Sequence, residues 1–303
     1  MVKSWPLFLS LLALARLGQC QRPNPSAVAA AGDCSSKAYQ DTLVARYLDR
    51  GAHRVSYLSP QFGQYCDSLI AACPNIAYAY QQKAMPLIKC GDYAKTFPLI
   101  DKAVALDENR YLAYRGFLKC IFSKDYPGAI TDFQRVARLK PNGREMDHTY
   151  AFFEGASELE LGNYQLAATA FATDMAVQRG PDGQGPVHFN SLWYAGLVAA
   201  RLGQYTQAET YLQQCLKAYP QHPEANYNLA LVYQAQGKAA LARQHLEAAQ
   251  RALIGGYRLN EDNIFYANYP AQITEYEVSQ ALRSAGNDVG AGSYPAGPAP
   301  ARR

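Results

Sequence analysis

Apolar residues recur at helical spacing in paired runs, each pair joined by a short turn, with a period of about 34 residues from Ala77 onward. The turns carry a marker: Gly91-Asp92-Tyr93, Lys124-Asp125-Tyr126, Gly162-Asn163-Tyr164 and Gly203-Gln204-Tyr205, with Gly237 opening a fifth. A small residue precedes each marker (Ala84, Gly116, Gly155, Gly196, Ala230). Another follows it (Thr96, Ala129, Ala167, Ala208, Ala242), and four residues later comes a bulky one (Ile100, Phe133, Phe171, Leu212, Leu246). Small residues at recurring places predict two helices in close contact, and the bulky residue shares the face of the second helix. Pro74, Pro141 and Pro220 close three units, because proline cannot continue a helix interior. The pattern predicts helix, tight turn, helix and stop, five times over.

This pattern resembles the tetratricopeptide repeat family, and the resemblance covers Ala77 to Leu253. It implies an all-α fold, a right-handed α-solenoid of stacked helix-turn-helix units, with the five units spanning 77–256. Three features depart from the family pattern. The second unit reads as one residue short in its turn, which unsettles the register of its first helix. Asp174 occupies a place where the family prefers a small apolar residue. Gly180 to Val187 forms a loop where a tight connection is usual; no strand precedes its glycines and no P-loop follows, so they read as loop and not as a phosphate site.

The flanks predict caps. Ser36–Leu48 and Ser59–Ala72 have helical spacing, so residues 36–76 read as a degenerate N-terminal repeat. In 257–283, Ile273, Tyr276, Val278 and Leu282 share one broad helical face suited to covering the last apolar edge, as solenoids require. Residues 284–303, rich in Gly, Ala, Pro and Ser, are expected to be a disordered tail. Residues 1–20 read as a signal peptide, with Lys3 ahead of the short apolar run Leu7 to Ala15, too short to span a bilayer. Leu17-Gly18-Gln19-Cys20 resembles a bacterial lipobox, which makes Cys20 a lipidation candidate and a possible membrane tether; ordinary cleavage near Cys20 is the alternative. Residues 21–35 would be a flexible linker. The mature chain is then expected to be exported: periplasmic or outer-membrane-associated if bacterial, otherwise secreted.

Composition narrows the function. With 49% hydrophobic and 18% charged residues the chain can bury a core, and a net charge of +4 without a Lys/Arg cluster gives no footprint for nucleic acid. The five histidines, His53, His148, His188, His222 and His245, show no zinc-ligand spacing. No nucleophile elbow, Walker loop or kinase signature occurs, and Glu158 and Glu160, two apart on a helix, do not face each other. The expectation is a non-enzyme without cofactors. Of the cysteines, Cys66 and Cys73 are too far apart on one helix to pair, but either could reach Cys34 or Cys90; Cys215 sits at a helix-packing position.

The 23 Tyr, 11 Phe and 2 Trp exceed what the repeat requires. In the tetratricopeptide family the first helix of each unit lines the concave face. Carrying that over gives Gln81, Tyr114, Phe152, Trp193 and Tyr227, with neighbours Gln82, Arg115, Phe153, Tyr194 and Asn228, as a candidate partner-binding groove with an exposed aromatic stripe. Gln81, Met85 and Leu118 stand where the carboxylate-clamp branch of the family has lysine and asparagine, which removes that class of partner. The reading is a scaffold or adaptor holding a protein or peptide in its groove, in a cell-envelope complex. The alternatives are a self-associating structural envelope protein, forming a homo-oligomer through its end helices and the Tyr-rich region Tyr257 to Tyr276, and an envelope enzyme or ligand receptor with a site at the Gly180 loop or near Glu261 to Tyr269.

Overall fold

The computed structural model describes residues 33–258, 267–285 and 294. The expected signal peptide, Cys20 and all but the end of the linker lie outside the described residues, as does most of the expected tail.

Five helix pairs follow one another: α3 (Ala77–Lys89) with α4 (Tyr93–Leu106), α5 (Glu108–Leu118) with α6 (Tyr126–Leu139), α7 (Tyr150–Glu160) with α8 (Tyr164–Arg179), α9 (Phe189–Arg201) with α10 (Tyr205–Ala218), and α11 (Pro223–Ala235) with α12 (Ala239–Ile254). The turn markers explain themselves locally. Gly91, Gly162, Gly203 and Gly237 all have φ between +73° and +77°, the left-handed conformation that ends a helix and that glycine adopts without a Cβ penalty. The next residue is the N-cap of the second helix; Asp92 and Asp125 accept the N–H groups of Lys95 and Gly128. The small positions also have a steric cause. A Cβ on Gly196 would lie 2.6 Å from Cγ of Leu212, the bulky residue of the same unit.

The second unit departs from the expected register in a different way. Gly116 lies thirteen residues before Ala129, whereas Gly155 and Ala167 are twelve apart, so the first helix carries one residue more than its counterparts. The chain absorbs it by widening the end of α5 into a π-helical turn, Lys119–Ser123, and Lys124 takes the left-handed position with φ 58°. The irregularity is therefore an insertion within the helix and not a short turn. It moves the fifth position of this unit from Tyr114 to Ala113.

Asp174 is fully buried on α8. It accepts hydrogen bonds from Thr149 Oγ1 (2.8 Å) and Gln178 Nε2 (2.7 Å), and Gln178 in turn donates to Ser191 Oγ and accepts the His188 N–H. The polar residue thus ties α7, α8 and α9 together where the 180–187 loop replaces a tight connection. Between units two and three a short hairpin, β1 (Arg144–Glu145) with β2 (His148–Thr149), adds a feature that the apolar period does not announce.

At the N-terminus α1 (Lys37–Val44), prolonged by a π turn to Asp49, packs with α2 (Pro60–Ala72) around Leu48, Phe62, Cys66 and Leu69. A disulfide joins Cys34 to Cys73, with Cα atoms 5.7 Å apart, tying the start of α1 to the C-cap of α2. Because it closes a loop of 39 residues, opening it with Cys73→Ser is expected to cost about 2–4 kcal/mol, most of it through the unfolded chain. Hydrogen exchange would check this: protection should fall in residues 37–89 and stay unchanged in α9 to α12, since repeat units stabilise mainly their neighbours.

At the other end α13 (Glu275–Ala285) lies on α12, with Ile273 and Val278 packed on Ala249 and Leu253 and with Leu282 beside them. Tyr276, expected on that face, is 68% exposed, because it sits at the first turn on the side away from α12.

Candidate protein-binding groove

The first helices form the inner layer. Neighbouring first helices touch one another, α7 with α9 and α9 with α11, with no comparable contact between second helices, so the stack curves with the first helices inside. That face holds the predicted residues, but not in the predicted state. Phe152, Phe153, Trp193 and Tyr194 are all 0% exposed. Phe153 stacks on Phe133 at 5.1 Å, Tyr194 stacks on Phe171 at 5.3 Å, and Phe152 sits edge-on to Tyr194 and Phe171. The expected exposed stripe is instead an aromatic wall within and between units, because these rings pack on Phe133 and Phe171 of the second helices as well as on the neighbouring first helix.

Arg115 and Met85 also leave the groove. With the extra residue in α5, Arg115 occupies the seventh place and turns to the second helices, where it pairs with Asp132 on α6 and Asp101 on α4. Met85 packs against the N-terminal cluster. Gln81 and Tyr114 stay on the inner face, half-buried, with Gln81 Nε2 3.4 Å from the Tyr114 hydroxyl. Together with Tyr78, Arg110 and Glu145 they line an open cavity of 390 Å³. Burial raises the pKa of Glu145.

The half of the groove formed by units three to five is occupied by the chain's own C-terminal region. Tyr194 Oη donates to the Pro270 carbonyl at 2.7 Å, and the Ala271 N–H donates to Glu160 Oε1 at 3.1 Å. Lys124 Nζ donates to the Asn268 carbonyl. Tyr269, 3% exposed, sets its ring edge to His148 at 6.4 Å between centroids. Tyr294, 9% exposed, gives its hydroxyl to Asn228 Oδ1, and the Arg201 guanidinium lies 5.1 Å from its ring centroid. Tyr227 and Asn228, both predicted, line a 270 Å³ cavity beneath Ala271, Ile273 and Glu277. Sequence reasoning missed Lys124, Glu160, Arg201 and Tyr294 as groove residues, and it placed Tyr269 in an alternative site and not inside the groove. Two histidines also have unforeseen tasks: His188 and His222 cap α9 and α11 through Nδ1, accepting the N–H groups of Asn190 and Ala225.

Glu160 supplies a pH test. Burial raises its pKa, against the pull of the Ala271 N–H, Lys124, the Tyr126 hydroxyl and Arg201. A carboxylate whose folded pKa exceeds its unfolded one stabilises the fold in its protonated state, so this contribution is full below the unfolded value and is lost as pH rises through the folded one. Glu160→Gln keeps an oxygen for Ala271 and carries no charge. Urea midpoints measured between pH 4 and pH 7 should therefore fall less with rising pH in the variant than in the parent chain.

The comparisons agree with this architecture. Residues 195–256, the fourth and fifth units, match the family model of the tetratricopeptide repeat. A probable biofilm formation methyltransferase of Pseudomonas putida, WspC, is 35% identical over 134 residues, which are 42% of this chain and 30% of that protein. The photosystem I assembly protein Ycf3 of Cyanophora paradoxa is 24% identical over 116 residues, 38% of this chain and 65% of that one. The chain thus spans less than two thirds of either relative. Among solved structures, PilW, a widely conserved type IV pilus biogenesis factor, matches with TM-score 0.51 and 19% identity over 70% of this chain and 90% of that one. A chain of the APC/C hetero-tetramer Cut9-Hcn1 matches with TM-score 0.54 and 16% identity over 84% and 46%. At such identities the likeness is one of fold. Helix pairs, left-handed markers, interlocking small and bulky positions and the family match lead to one conclusion: the chain folds as an α-solenoid of the tetratricopeptide-repeat type, and its fourth and fifth units are recognised as that repeat.

Proposed function

We propose that this protein is a non-catalytic scaffold that holds a protein or peptide partner against the first-helix face, in an exported, cell-envelope setting. The observation that carries this is the C-terminal region itself: groove side chains grip its backbone at Asn268, Pro270 and Ala271, which is how an extended peptide would be held. Beside it the open half offers Tyr78, Gln81, Arg110 and Tyr114, aromatic and hydrogen-bonding groups on preformed helices that need little ordering. The Cys34–Cys73 bridge supports an oxidising compartment, in keeping with the signal-like residues 1–20 and a tether at Cys20. For the methyltransferase relative, the matched stretch covers 30% of its length.

The test is capture from an envelope extract with the mature chain beside two folded variants. Tyr78→Ala/Gln81→Ala/Tyr114→Ala opens the inner face, and Leu166→Glu/Leu241→Glu alters exposed residues of α8 and α12. A partner lost only with the first places binding in the groove; loss only with the second moves it to the outer face and sinks the reading. Ile254, Tyr257 and Tyr276, all exposed at the C-terminal end, favour self-association as the second reading, and sedimentation velocity would register it as a concentration-dependent dimer.

A further inference from the structure

The two tyrosines of the C-terminal region that are buried in the groove belong to the same tripeptide, Tyr269-Pro270-Ala271 and Tyr294-Pro295-Ala296. Their receptors are also related. Tyr194, which holds Pro270, lies two residues before Gly196; Asn228, which holds Tyr294, lies two before Ala230, the same place one unit on. Glu160, which takes the Ala271 N–H, lies five residues after Gly155, and Arg201, which covers the Tyr294 ring, lies five after Gly196. Tyr269-Pro270-Ala271 and Tyr294 therefore each meet one residue from each of two equivalent places, shifted by a single repeat.

Resting on the reading of the groove as an interaction surface, we propose that the inner face of units three to five is a reader of Tyr-Pro-Ala segments. Tyr269-Pro270-Ala271 and the ring of Tyr294 are its resident occupants, and a protein partner enters by presenting Tyr-Pro-Ala with its tyrosine in place of Tyr294.

The chemistry of the tripeptide suits the site. Tyrosine buries a large ring while its hydroxyl reaches a polar partner, which Asn228 provides. Proline fixes its own φ and restricts the residue before it to extended conformations, so the segment loses little freedom on binding. Alanine is small enough to follow a turn: Ala271 has φ 57°, and the Gln272 N–H points back to the Tyr269 carbonyl at 3.4 Å. The first copy runs straight into Ile273 and α13, which pack on Ala249 and Leu253. Tyr294 is held through its own side chain and its N–H near the Tyr205 hydroxyl, contacts that a tyrosine on another chain can reproduce.

The test uses a fluorescein-labelled peptide of residues 290–300 (GAGSYPAGPAP) and anisotropy titration against the full chain. The full-length Tyr294→Ala variant, verified as folded by circular dichroism, should bind it at least about 10-fold tighter than the parent chain, because a site occupied in cis binds with an affinity scaled down to the fraction of sites left free. Replacing the peptide's tyrosine by alanine, or adding Asn228→Leu to the Tyr294→Ala chain, should weaken binding at least about 10-fold. Equal binding by parent and variant, equal binding of both peptides, or no binding to the opened chain would overturn the proposal. So would a parent dimer that dissolves on Tyr294→Ala, since the second copy would then be exchanged between chains. A peptide that fails while an envelope partner is still lost with the Tyr78/Gln81/Tyr114 variant would remove the Tyr-Pro-Ala motif and leave the scaffold function standing.

Discussion

Asp132→Ala is expected to destabilise the second unit by about 3–5 kcal/mol, although it deletes a residue far from the groove face. The Asp132 side chain, 3% exposed, accepts Arg115 Nη2 and Nε at 2.6 and 2.8 Å and Lys119 Nζ at 2.8 Å. Both cations are themselves mostly covered, with side chains 17% and 18% exposed. Removing the carboxylate strands two charges, and Arg115 cannot escape by losing its proton, since a guanidinium stays protonated even without a carboxylate partner. Asp101, 57% exposed, neutralises only one edge of the guanidinium. Replacing Arg115, Lys119 and Asp132 together by apolar residues should cost far less, because an absent buried charge network carries no desolvation penalty. Urea unfolding followed by circular dichroism distinguishes these outcomes; a single-variant loss under about 1 kcal/mol would mean that water reaches the stranded charges.

The repeat was legible because each of its signals has a local cause. A marker glycine ends one helix wherever it stands, and Gly196 must be small because Leu212 lies against it. The same locality explains what was misread. One extra residue in α5 leaves the apolar spacing nearly intact, so the sequence pattern places it in the turn, while the chain places it in a π turn ending at Ser123. The Cys34–Cys73 pairing was one of several that the spacing allowed, and the choice came from the way α1 folds back on α2.

The groove was legible as a place and not as a surface. The carried-over positions fall on the inner face at Gln81, Tyr227 and Asn228, because helix periodicity fixes direction. It does not fix what lies opposite. Tyr194 and Asn228 are covered by residues some 70 positions away in sequence, and no periodicity connects a repeat to the segment that folds back over it. The signal for that contact was the recurrence of Tyr-Pro-Ala, which lies outside the repeats and carries no helical period.

Trp193→Ala gives the sharpest separation between an exposed stripe and a buried wall. Trp193 is 0% exposed, its ring 4.1 Å from Tyr194 and 5.2 Å from His222 between centroids. Truncating it should cost about 3–5 kcal/mol, as for other fully buried aromatics, and should loosen Tyr194 and its hold on Pro270 as well. Tyr114→Ala, on a half-buried ring facing the open cavity, should cost under about 2 kcal/mol. Trp193→Phe is the informative control: Trp193 Nε1 is buried without a hydrogen-bond partner, so losing it removes no bond and the loss should stay under about 1.5 kcal/mol. Urea midpoints for the three variants would order them as Tyr114→Ala and Trp193→Phe close to the parent, with Trp193→Ala far below. If Trp193→Ala unfolds no more easily than Tyr114→Ala, the indole is on the surface and the aromatic wall does not exist. With the expected order, a partner lost on Trp193→Ala reports a collapsed unit, whereas substitutions at Tyr78, Gln81 and Tyr114 measure contact with a partner in the open half of the groove.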